Sequence, residues 1–127
     1  MKMLIAEDDF VARRIIKDVT SPYGDCDVVV DGKEAVRAFK LAWDEDKPYD
    51  LVCLDIMMPN LNGLEAQSKI YKDHPGIKVF MMSGYSPQMR TNDGLPDGVY
   101  HFLAKPFDLD VLDKLIQEAL RPAQSHA

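Results

Sequence analysis

Short apolar runs alternate along the chain with longer stretches whose apolar residues recur every three or four positions. Met3-Leu4-Ile5-Ala6 is the first run, and it ends abruptly in Glu7-Asp8-Asp9. Val11, Ile15, Ile16 and Val19 follow at helical spacing until Pro22-Tyr23-Gly24 stops the helix. Val28-Val29-Val30 reads as a second strand. Asp31 then reads as the N-cap of a helix whose stripe is Ala35, Val36, Phe39, Ala42 and Trp43. Leu51-Val52-Cys53-Leu54 is a third strand, stopping at Asp55. A loop with Pro59, Asn60, Asn62 and Gly63 leads into a helix over 64–73, closed by Pro75-Gly76. Val79-Phe80-Met81-Met82 is a fourth strand ending at Ser83-Gly84, and 86–97 is a weaker helix pattern broken by Gly94 and Pro96. Val99–Leu103 is a fifth strand. A last helix places Leu109, Leu112, Leu115, Ile116, Ala119 and Leu120 on one face.

Several of these strands are continuously apolar, as strands covered on both faces must be. Five strands alternating with five helices predict an open α/β domain, a doubly wound parallel sheet with helices on either side. The length of 127 residues suits one such domain, here expected over 1–121 with 122–127 as a tail or linker stub. The formal net charge of −6, with basic residues scattered among more numerous acidic ones, argues against direct nucleic-acid binding. No run approaches the roughly 20 apolar residues of a membrane span, and the early acidic cluster excludes a secretory signal. Cys26 and Cys53 fit neither a metal pair nor a disulfide framework, so reduced thiols in a cytoplasmic protein are expected.

In doubly wound sheets ligands bind beyond the carboxyl ends of the strands. Glu7-Asp8-Asp9, Asp55, Ser83 and Lys105 stand at such ends. Carboxylates gathered about 5 Å apart repel by roughly 3 kcal/mol per pair at an effective dielectric near 20, which calls for a cation. A hard divalent ion such as Mg2+ suits oxygen ligands, and Lys105 suits a phosphate. A carboxylate nucleophile, a metal, a lysine and a hydroxyl together point to phosphoryl transfer. Nucleotide-binding glycine loops, a GxSxG elbow and an HExxH helix are all lacking from the sequence.

The acidic cluster, Asp55-Ile56-Met57-Met58-Pro59-Asn60-Leu61-Asn62-Gly63, Met82-Ser83-Gly84 and Lys105-Pro106-Phe107 resemble the receiver domain of two-component response regulators, the chemotaxis-regulator type included. The resemblance implies a flavodoxin-like strand order of 2-1-3-4-5. It implies Asp55 as phosphoacceptor, with Mg2+ held by Asp8, Glu7, Asp55 and the backbone carbonyl of Met57. Ser83 and Lys105 would hold phosphoryl oxygens, and Ser83 and Phe102 would form the switch. The implied partners are a sensor histidine kinase or histidine phosphotransfer protein and a downstream protein target or output domain. The implied assembly is a monomer or a phosphorylation-dependent dimer. Such a domain is not an enzyme, although it assists its own phosphorylation and dephosphorylation. Output would pass through the face of the fourth helix, fifth strand and fifth helix.

Plainer readings stand beside these. Asp9 is expected as a helix cap rather than a ligand, and the Met57-Met58 and Met81-Met82 pairs as core packing. Two other functions remain open: an Asp-nucleophile, Mg2+-dependent phosphatase, and an interaction module with an inactive site. The first is disfavoured because Met57 stands where a DxD pattern needs its second aspartate.

Overall fold

The computed structural model describes residues 1–58, 61–83, 98–104 and 109–120. In chain order they form β1 (Lys2–Ala6), α1 (Phe10–Thr20), a single 3-10 turn at Ser21–Tyr23, β2 (Asp25–Val29), α2 (Gly32–Asp44), β3 (Leu51–Asp55), α3 (Gly63–Asp73), β4 (Lys78–Ser83), β5 (Val99–Ala104) and α4 (Leu109–Leu120). All strand pairings are parallel, and the order is β2-β1-β3-β4-β5, as the resemblance implied. Four of the five expected helices lie among the described residues. The weak helix pattern over 86–97 and the tail over 122–127 lie outside them.

The pleat of the three central strands builds two cores. Leu4, Ala6, Val52, Leu54, Val79 and Met81 pack under α2 and α3 with Ala35, Phe39, Ala66 and Ile70. Their neighbours Met3, Ile5, Leu51, Cys53, Phe80 and Met82 pack on the other side with Ile16, Leu112 and Ile116. Burial on both faces explains why these strands read as unbroken apolar runs.

The structure corrects several details. β2 starts at Asp25, three residues before the β-branched run, and Val30 lies in the bend after it. Asp27 is tolerated because β2 is an edge strand and the Tyr49 hydroxyl donates to its carboxylate at 2.6 Å. α1 buries Ile16 and Thr20, whereas Val11 and Ile15 are exposed. The helical period is as read, but the covered face is turned. Thr20 can be buried because its hydroxyl donates to the Lys17 carbonyl at 3.1 Å. Trp43 is half exposed and lies across His74, with ring centroids 3.9 Å apart, instead of joining the core stripe. It sits in the last turn of α2, where its ring meets the C-terminal cap of α3.

Candidate functional site

The strand order reverses between β1 and β3, which opens a crevice at their carboxyl ends. Ala6 pairs with Leu54, so Glu7 and Asp55 are carried to the rim side by side. The backbone there is pinned from both flanks: the Glu7 N–H donates to the Val29 carbonyl at 3.1 Å, and the Ile56 N–H to the Met82 carbonyl at 2.9 Å. Asp8, one step further, is exposed, while Glu7 and Asp55 are buried. Glu7, Asp8 and Asp55 each offer a carboxylate oxygen, and these oxygens all lie within 4.8 Å of one another.

Local hydrogen bonds hold this arrangement. The Asp9 N–H donates to Glu7 Oε1 at 3.2 Å, and the Met57 N–H donates to Asp55 Oδ1 at 3.2 Å. Asp9 is the N-cap of α1, accepting from the Val11 N–H at 3.0 Å, and stands outside the carboxylate trio. Met81, Met82 and Met58 are core residues as expected. Met57 is not: its side chain is 62% exposed on the rim, so only its backbone is engaged with the site. The trio of carboxylates suits a hard divalent cation, because Mg2+ takes oxygen ligands and keeps part of its water shell. The donor set therefore fits the metal that the resemblance implies.

Ser83 ends β4, one residue beyond the Asp55–Met82 pair, and its backbone lies opposite Ala104. Lys105, next in sequence, lies outside the described residues. Phe102 is buried on β5, opposite Met81 in register and inside the core under α2 and α3.

Two glycines shape the site: Gly63, which the sequence showed only as a loop and motif residue, and Gly32, which it did not single out. The Gly63 N–H donates to the Ile56 carbonyl at 3.0 Å, and a Cβ there would stand 2.1 Å from the Asp55 carbonyl oxygen. The Gly32 N–H donates to the Leu61 carbonyl at 3.0 Å, and a Cβ there would stand 2.0 Å from the same oxygen. Asp31 and Asn62 cap α2 and α3, so each glycine opens a helix directly after its cap. Glycine is a poor helix former, and its place at the first helical position was the available signal of close backbone approach.

The sequence matches the family described as response regulator receiver domain over residues 3–117. It is 35% identical over 121 residues to the chemotaxis protein CheY of Listeria monocytogenes, covering 95% of this chain and 99% of that one. Its fold is similar to a chain in the CheX-CheY-BeF3-Mg2+ complex from Borrelia burgdorferi, with a TM-score of 0.81 at 26% identity over 93% of this chain and 87% of that one. The Thermotoga maritima response regulator TrrA, solved in complex with Mg2+-BeF, gives a TM-score of 0.79 at 27% identity over 94% and 98% of the two chains. Fold, carboxylate trio and motifs agree, and the chain belongs to the response regulator receiver domain family of two-component signalling.

Proposed function

We propose that this receiver takes a phosphoryl group from the phosphohistidine of a sensor kinase or phosphotransfer protein onto the Asp55 carboxylate, in an Mg2+-dependent step. The observation that carries the reading is the convergence of Glu7, Asp8 and Asp55 oxygens within 4.8 Å at the switch point of the sheet. Glu7, Asp8, Asp55 and the Met57 carbonyl would hold Mg2+, which when bound supplies charge neutralisation for the moving phosphoryl oxygens. An Asp55 carboxylate oxygen bonds to phosphorus as the phosphorus–nitrogen bond of the donor breaks. The Met57 N–H, donating to Oδ1, fixes the rotation of the nucleophile. Ser83 and Lys105 hold oxygens of the acquired phosphoryl group, and Phe102 reports the hydroxyl's movement to the face of β5 and α4. The modified state then shifts a two-state equilibrium toward a form that binds a downstream protein differently. The protein works in the cytoplasm, and among the described residues no helix is long and apolar enough to cross a membrane.

Incubation with acetyl phosphate and Mg2+ should add one phosphoryl mass, and Asp55→Asn should abolish the adduct while keeping the fold. Asp8→Asn should weaken Mg2+ binding in calorimetry by at least about tenfold, the loss of one charged ligand. An adduct that persists in Asp55→Asn would overturn the acceptor assignment. Steady turnover of p-nitrophenyl phosphate would favour the phosphatase reading, and lack of any Mg2+-dependent labelling would favour an inactive interaction module.

A further inference from the structure

The carbonyl groups of Glu7 and Asp8 lie past the end of β1, beyond the last strand-paired residue. Both accept hydrogen bonds from one nitrogen, Nη1 of Arg13, at 3.0 Å each. Glu7 is completely buried, so its carbonyl needs a partner from within the protein. Arg13 itself is half-buried, with its guanidinium carbon 5.6 Å from the Phe10 ring centroid. A cation one turn into α1 stands where the helix dipole disfavours positive charge. Near a metal site it also opposes the charge of the ion. The neighbouring carboxylates favour a cation here, but its charge competes with a bound metal ion, and the two backbone bonds fix where the guanidinium stands.

We propose that Arg13 is a positioning residue for the metal centre, an inference that rests on the Mg2+ reading above. By clamping two successive peptide units, it holds the Glu7 and Asp8 carboxylates in the orientation that meets Asp55. The proposal makes a prediction of definite sign. If Arg13 acted through charge alone, its removal would tighten Mg2+ binding, because a like charge is taken away. If it acts by orienting the ligands, removal weakens binding, as loss of a ligand-orienting partner typically does by 10–100-fold.

The test compares the wild-type chain with Arg13→Ala, Arg13→Lys and a semisynthetic chain carrying citrulline at position 13. Citrulline keeps a planar NH2 donor and loses the charge. Calorimetry with Mg2+ should show Arg13→Ala at least about tenfold weaker, and citrulline equal to wild type or tighter. Hydrogen exchange in the presence of EDTA adds a readout that needs no metal. The Asp9 amide, which donates to Glu7 Oε1, should exchange at least about tenfold faster in Arg13→Ala while β3 amides stay unchanged. Unchanged or tighter Mg2+ binding in Arg13→Ala, or an Asp9 amide that does not respond, would overturn the proposal. If Arg13→Ala does not fold, the citrulline chain decides: affinity equal to or tighter than wild type supports the clamp, and affinity well below wild type overturns it. Should wild type itself take up no Mg2+, the metal reading fails, and the Asp9 exchange rate still reports whether Arg13 holds the loop.

Discussion

The Asp55 backbone has almost no freedom to move, because the first turn of α3 is built directly against it. Gly63 closes that contact, and a methyl group at 2.1 Å from the Asp55 carbonyl must push either α3 or the end of β3 away. The contacted atom is backbone and cannot swing aside, so Gly63→Ala should cost about 1–3 kcal/mol, the usual range for an overpacked interior. Urea unfolding measures the stability loss, and on the proposed function the rate of acetyl phosphate labelling should fall with it because Asp55 is displaced. A variant as stable and as quickly labelled as wild type would show that the two segments can part without consequence. At this scale the sequence was legible where chemistry is written in the side chain. Glu7, Asp8 and Asp55 could be picked out as strand-end carboxylates, and Asp9 as a cap. Gly32 and Arg13 were not legible, and Gly63 was legible as a motif residue but not in its packing role, since what they do depends on carbonyl groups brought near by the folded chain.

Among the elements, the helix starts are governed by local chemistry, and the caps Asp9 and Asp31 could be read in advance, whereas Asn62 was read only as a loop residue before α3. Asp9, Asp31 and Asn62 each accept a hydrogen bond from a backbone N–H of the turn they open, at 3.0, 2.8 and 2.9 Å. Removing such a cap typically costs about 1 kcal/mol. Asp9→Ala should therefore lower stability by about that amount while leaving Mg2+ affinity within about threefold, since Asp9 is separate from the trio. Asp8→Asn, on the same loop, should do the reverse. Comparable loss of Mg2+ affinity in both variants would mean that Asp9 is a ligand. Which face of a helix is covered was less legible than where the helix begins. Of the α1 stripe read as Val11, Ile15, Ile16 and Val19, the sheet and α4 cover Ile16, Val19 and the neighbouring Thr20, and leave Val11 and Ile15 exposed. Likewise Asp25 and Asp27 hide the start of β2, because aspartate is poor in strands unless an edge position and a partner such as Tyr49 accommodate it. Neighbours decide both cases, and a single sequence does not display neighbours.

For the molecule as a whole, the sheet is the wall between two cores, and β3, which carries Asp55, runs through its middle. Cys53 sits on that strand two residues before Asp55, fully enclosed among Met3, Ile16, Phe80 and Leu112. Burial pushes its thiol up to about 12 from the usual 9.0, because the thiolate would have no water around it. Between those values the folded protein keeps a proton that the unfolded chain has already lost. The contribution is thus complete below pH 9 and fades as pH rises toward 12. From pH 8 to pH 10 the linkage amounts to about 1.4 kcal/mol of lost stability. The Tyr49 phenol, raised first by burial and then by its bond to Asp27, titrates above that window and adds little within it. Cys53→Ala should start from a lower stability, for want of the sulfur, but lose less between pH 8 and pH 10 than wild type does. Urea midpoints at matched pH values give the comparison, with the m-value checked for constancy. Parallel curves for the two proteins would mean that water reaches the thiol in the folded state. A steeper wild-type curve would mean that the wall behind Asp55 opens only when the whole sheet does, so that the site moves against a rigid backing.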